Sequence, residues 1–169
     1  HTITDRTAVE KMRAKVATLG GMLFDRHLTD AAGGNISARV GDVVCMSPSY
    51  SGSKRQWQLQ PEDVLVVSLD GTILEGDGKI TREAHVHFMM HREFGQHGTG
   101  VIHAHPRNLL VFAAMGKSMP PVLEATLKFG VVNELDFLEA VQHGLGDAGG
   151  DVAFGQFLGQ LLAALGRVG

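Results

Sequence analysis

In the segment Val101-Ile102-His103-Ala104-His105, two imidazoles stand at i and i+2 of a predicted strand. That spacing projects both to one face, where they can grip a single cation. The same pattern also describes two histidines whose ring nitrogens are satisfied at a strand end. Glu83, upstream at a predicted helix start, offers a carboxylate to complete a nitrogen and oxygen ligand set. A Glu there is otherwise a favourable partner for the helix dipole. A second segment, Gly33-Gly34-Asn35-Ile36-Ser37, feeds a glycine pair into a strand, so bare backbone amides and the Asn35 amide can approach an anion closely. That chemistry suits a phosphate, and an ordinary glycine turn supported by Asn35 is the other reading. Ser47-Pro48-Ser49-Tyr50-Ser51-Gly52 adds hydroxyls and another glycine after a strand, as phosphate cradle or as solvated loop. His85, His87 and His91 crowd the helix after Glu83. Only His87 and His91 share a helical face, and without an HExxH context they read as surface or interface groups.

The elements that must position these residues follow from periodicity. Val9, Met12, Val16, Leu19 and Leu23 recur every three or four residues behind a Thr7/Glu10 capping box, which predicts an amphipathic helix to about His27. Gly33 and Gly34 end any helix, and Asn35–Val40 alternates as a strand, with Gly41-Asp42 turning it into Val43-Val44-Cys45-Met46-Ser47. A polar, Ser- and Gly-rich loop is expected over 47–63. Val64–Leu69 reads as a buried strand, Asp70-Gly71 as a hairpin turn and Thr72–Leu74 as the antiparallel return. Residues 83–94 read as a helix with Val86, Met89 and Met90 on its apolar side, and Gly98–Ile102 as a short strand. A further helix is expected around Leu109–Ala113, stopped by Pro120-Pro121, and a last one over 151–166.

Composition narrows the function classes. The 169 residues are 44% apolar and 20% charged, which describes a single globular domain with a sizeable core. Fifteen Lys and Arg against eighteen Asp and Glu give a net charge of -3, which argues against nucleic acid as a partner. No apolar run reaches the roughly 18–20 residues of a membrane span, and the opening residues lack the basic and apolar regions of a secretory signal, so a soluble cytoplasmic protein is expected. Cys45 is the only cysteine, so any metal must rest on nitrogen and oxygen ligands, for which nine histidines are available. No lysine stands in a context that demands a Schiff base; Lys128 reads as a surface residue.

Taken in order, GGNIS, the Ser47-Pro48-Ser49 turn, the helix-opening Glu83 and the HAH segment resemble the class II aldolase/adducin family over nearly the whole chain. The resemblance implies a three-layer α/β/α sandwich around a central, mainly antiparallel sheet, in a homotetramer with active sites at subunit interfaces. It implies metal ligation by His103 and His105, with Glu83 both meeting the metal and acting as general base. The metal so implied is Zn2+, with Mn2+, Fe2+ or Co2+ as alternatives. Gly34, Asn35, Ser49, Ser51, Gly52, Thr81 and Arg82 fall on the family's phosphate pocket, with Arg82 in place of a small hydroxyl residue; its guanidinium can still pair with a phosphate. The family's third histidine lies beyond a position matching Gly169, and neither His97 nor His143 has a matching context, so a further C-terminal segment is expected. Where fuculose-phosphate aldolases carry a tyrosine proton donor, this chain has Glu124, as in the dehydratase, epimerase and rhamnulose-phosphate branches.

The resemblance implies metal-dependent cleavage of a small ketose phosphate through a metal-stabilised enediolate. Two alternatives share the scaffold. One is dehydration or 4-epimerisation of a pentulose phosphate, for which Glu124 is the discriminator, and the other is a metal-free, adducin-like interaction module.

Overall fold

The computed structural model describes Ile3, residues 5–118 and Pro120. Glu124, Lys128, His143 and the helix expected over 151–166 lie outside the described residues. The chain divides into two compact units, His1–Pro106 and Arg107–Gly169. In order, the first holds α1 (Arg6–Asp25), β1 (Asn35–Val40), β2 (Val43–Met46), α2 (Ser51–Arg55), β3 (Leu65–Ser68), β4 (Ile73–Glu75), α3 (Ala84–Glu93) and β5 (Gly100–His103). Helix α4 (Arg107–Ala114) is the described element of the second. No described helix is long and apolar enough to cross a membrane.

The described strands form one antiparallel sheet in the order β4-β3-β2-β1-β5. Because successive side chains point to opposite faces, the sheet feeds two cores. Ile36, Ala38, Val43, Cys45 and Val66 join Val9, Val16 and Ala17 of α1 in one cluster. Val44, Met46, Leu65 and Val67 join Ala84 and Phe88 of α3 in the other. Helix, sheet and helix are therefore three layers, an α/β/α sandwich.

Helix α1 starts differently from the expected capping box. Asp5 is the N-cap, accepting from the Ala8 amide at 2.9 Å, while Glu10 turns along the helix to pair with Arg13 at 3.2 Å. Arg13 interrupts the apolar stripe yet is buried, because its guanidinium donates to the carbonyls of Pro61, Glu62 and Val64 at 2.9–3.1 Å. The 47–63 segment is more ordered than its composition predicts. It carries α2, a 3-10 turn over Pro61–Asp63, and a buried Trp57 whose ring fills the space a side chain at Gly20 would occupy. Trp57 also donates its indole N–H to the Asp30 carbonyl at 3.2 Å, tying this segment to the loop before β1.

Helix α3 corrects the reading of its histidines. Its buried stripe is Ala84, His87, Phe88 and His91, not the Val86, Met89 and Met90 side. The reason lies in the opposing sheet. The alternation of Asn35-Ile36-Ser37-Ala38 sends Ile36 and Ala38 toward α1 and leaves the polar Asn35 and Ser37 facing α3, where imidazoles find partners and aliphatic side chains would leave polar groups unsatisfied.

Candidate functional site

Strands β1 and β5 pair with Asn35 directly opposite His103 and Ser37 opposite Val101. His103, at the end of β5, and His105, two residues on, bring their Nε2 atoms to 2.9 Å from each other. Glu83, the N-cap of α3, places Oε1 3.9 Å from His103 Nε2. The three side chains read from the sequence as a ligand set are thus gathered at one place, where the β5 end meets the α3 start. Two nitrogens at tetrahedral zinc, each about 2.0–2.1 Å from the metal, stand roughly 3.3 Å apart, so the histidine pair is near chelating distance. Glu83 stands further off because Asn35 Nδ2 holds its other oxygen, and no three acidic, histidine or cysteine side chains among the described residues enclose a cation as they stand. Burial pulls the His103 imidazole below its ordinary value, the Glu83 carboxylate opposes this, and His105 reinforces it. A neutral imidazole is the form that ligates.

Residues outside the sequence-read set orient His105. Its Nδ1 faces Asp30 Oδ2 at 3.3 Å, while Asp30 Oδ1 accepts from the amides of Ala32 and Gly33 at 2.8 and 2.9 Å. Desolvation raises the Asp30 pKa, but these two amides and His105 outweigh it and hold the carboxyl below its usual value. A carboxylate behind a histidine keeps the proton on Nδ1 and turns the Nε2 lone pair outward. Gly33 leaves room for that ring, since a Cβ there would lie 2.1 Å from His105 Cε1. The donor set, its backing carboxylate and the clearance at Gly33 fit a divalent cation.

Asn35 is buried and its carboxamide is fully engaged. Nδ2 donates to Glu83 Oε2 and, at 3.2 Å, to Thr81 Oγ1, while Oδ1 meets His87 Nε2. His87 and His91, expected as surface or interface groups, are each 1% exposed and share Ser37 Oγ, at 2.6 Å from His87 Nδ1 and 2.8 Å from His91 Nε2. The signal that could have found them is the polar face of β1 in the sequence itself.

The expected phosphate residues divide. Gly34 takes φ +91, and a Cβ there would meet Thr29 Oγ1 at 2.4 Å, so both conformation and close approach demand glycine. Gly52 likewise abuts the Asp30 and Ala31 carbonyls, at 2.7 and 2.9 Å from where its Cβ would be. The Ser49 and Ser51 hydroxyls donate internally, to the carbonyls of Ile80 at 2.9 Å and Pro48 at 2.6 Å. Thr81 Oγ1 accepts from Asn35 and keeps its own proton to give, and Arg82 is exposed. Cys45 is buried, its thiol pushed up to about 11 mainly by desolvation, which suits core packing and not nucleophilic attack.

A sequence model described as the class II aldolase and adducin N-terminal domain matches residues 14–156. The 5-deoxy-D-ribulose 1-phosphate aldolase of Bacillus thuringiensis is 29% identical over 116 residues, covering 68% of this chain and 53% of that protein. The methylthioribulose-1-phosphate dehydratase of Pseudomonas savastanoi is 29% identical over 106 residues, 63% of this chain and 50% of that one. The crystal structure of the fuculose-1-phosphate aldolase of Thermus thermophilus superposes with a TM-score of 0.55 at 27% identity, over 72% of this chain and 57% of that one. This chain spans about half the length of the curated relatives it matches.

Proposed function

The chain belongs to the class II aldolase and adducin N-terminal domain family, and from that premise we propose that it carries the metal- and phosphate-binding part of a lyase that splits a ketose phosphate by retro-aldol cleavage. One juxtaposition supports the reading above the rest: Glu83 and His105 both stand beside His103, at 3.9 and 2.9 Å from its Nε2, with Asn35 directly across the strand pair from it. His103, His105 and Glu83 would hold the cation, most simply Zn2+. When bound, a divalent cation supplies a Lewis acid for negative charge developing on substrate oxygens. Glu83 has one oxygen held by Asn35; the other would meet the cation before substrate arrives and, once displaced by it, take the substrate hydroxyl proton as the carbon–carbon bond breaks and later return a proton to carbon. The phosphate is met by the backbone at Gly34 and Gly52, by the Thr81 hydroxyl and by Arg82, with Asn35, Ser49 and Ser51 shaping the pocket through their internal bonds. Homotetramer assembly with interfacial sites, and a cytoplasmic location, belong to the same reading.

A second reading is dehydration of a pentulose phosphate, favoured by the dehydratase relative and by Glu124 as a further acid/base group. A coupled assay across a panel of ketose phosphates with added zinc or manganese separates the two. Loss of turnover by about 100-fold or more in Glu83→Gln alone supports cleavage, since a positioned acid/base group is worth roughly that much. Loss in both Glu83→Gln and Glu124→Gln supports dehydration or epimerisation, and full activity of Glu83→Gln refutes both.

A further inference from the structure

Two buried titratable side chains, His87 and His91, have no part in the proposed chemistry, yet a chain of hydrogen bonds links them to it. A carboxamide has a donor end and an acceptor end of nearly equal shape. At Asn35 the difference decides whether Glu83 meets an N–H or a repelling oxygen. We propose that His87 and His91, acting through Ser37, are positioning residues that fix the orientation of the Asn35 carboxamide and so aim its amino group at Glu83; this rests on the reading of Glu83 as the base.

Each proton position fixes the next along the hydrogen-bonded series Glu83, Asn35, His87, Ser37, His91. With the Asn35 amino group toward Glu83 and Thr81, its Oδ1 must accept, so His87 carries its proton on Nε2. His87 Nδ1 then accepts from the Ser37 hydroxyl, whose oxygen in turn accepts from His91 Nε2–H. In the opposite sense His91 Nε2 accepts from Ser37 and His87 donates from Nδ1. His87 Nε2 is then a bare lone pair, which draws the Asn35 amino group and turns its oxygen onto the Glu83 carboxylate.

The far end selects the same sense. His91 Nδ1 is buried without a partner among the described residues. In the first sense that atom is an unsatisfied acceptor, while in the second it is an unsatisfied N–H, the rarer and costlier arrangement. A doubly protonated ring is excluded at both positions. Burial pushes His87 down to about 3, aided by the neighbouring His91 and His103, and pushes His91 down to about 4, aided by the Arg39 guanidinium. That guanidinium donates to the His91 carbonyl at 2.9 Å. Both rings are therefore neutral, and a single tautomer of each satisfies the chain from end to end.

Long-range proton–nitrogen NMR of the full chain, assigned with single His→Phe variants, reads the tautomers directly. Both His87 and His91 are expected as neutral Nε2–H rings at pH 7; an Nδ1–H ring or an imidazolium at either position overturns the proposal. Kinetics with the ketose phosphate that the wild-type chain turns over supplies the second arm. His87→Phe is expected to lower kcat 10- to 100-fold with KM within about threefold, the range seen when a partner behind a site residue is lost. His87→Gln, which keeps an N–H donor, is expected to recover most of that loss, and unchanged kcat in a folded His87→Phe protein counts against the relay. If His87→Phe does not fold, Ser37→Ala serves instead, with the expected result that the His87 tautomer becomes mixed. A wild-type chain inert toward every ketose phosphate would sink the lyase reading, while the tautomers would still decide the relay.

Discussion

Asp30→Asn isolates the group behind His105 without disturbing the loop that carries it. The variant keeps an oxygen to accept from the Ala32 and Gly33 amides, which Asp30 Oδ1 meets at 2.8 and 2.9 Å. What changes is the atom facing His105 Nδ1 at 3.3 Å, which becomes an amino group and can no longer accept. His105 must then either lose that partner or move its proton to Nε2, the atom 2.9 Å from His103 Nε2 on which chelation depends. Loss of an outer partner of this kind weakens metal binding 10- to 100-fold, about 1.4–2.7 kcal/mol. The length of the contact and the partial exposure of both side chains place the expected effect toward the lower end, roughly tenfold to thirtyfold. Folding stability is expected to change by no more than about 0.5 kcal/mol, since both amide bonds survive. Competition for zinc against a chromophoric chelator, paired with thermal unfolding of the same samples, reads both quantities. Equal zinc affinity in a folded Asp30→Asn protein would refute the orientation argument, as would weakened binding accompanied by general destabilisation.

Two further outcomes follow from the geometry. Gly34→Ala combines a left-handed backbone with a 2.4 Å clash at Thr29 Oγ1, and is expected to destabilise the fold by about 1–3 kcal/mol in urea unfolding. Acid stability should track the two buried histidines: their pKa values in the folded chain, about 3 and about 4, lie below the ordinary 6.5, so the unfolded chain binds more protons between those values. Their contribution is full above pH 6.5 and drains away as pH falls toward 4 for His91 and 3 for His87, by up to about 1.4 kcal/mol per pH unit for each ring. Urea unfolding from pH 7 to 4.5 is expected to show this slope, shallower in His91→Gln, and a flat profile would contradict their burial as neutral rings.

Much of the architecture was legible because it rests on period. Alternation in Asn35–Val40, the apolar run after the Gly41-Asp42 turn and the apolar run before Asp70-Gly71 marked strands that the sheet contains, and the HAH spacing put His103 and His105 side by side. What was not legible depended on partners distant in sequence. Arg13 carries no mark of burial in the helical pattern, and only the carbonyls of Pro61, Glu62 and Val64 make it a core residue. His87 and His91 looked like surface or interface groups, because a polar face on β1 is invisible to a helix read alone. Asp30 gave no signal, since its tie to His105 spans loops whose course no local pattern sets. Trp57 was hidden in a segment whose polar composition masked its single large anchor.

Zinc K-edge absorption spectroscopy of the zinc-loaded chain tests whether Glu83, His103 and His105 hold one divalent cation. One tightly held zinc per chain is expected, with a shell of nitrogen and oxygen near 2.0–2.1 Å and the scattering signature of at least two imidazoles. That signature should diminish on His103→Ala and on His105→Ala. Zinc bound without imidazole scattering, no stoichiometric zinc, or a spectrum indifferent to both substitutions would contradict it.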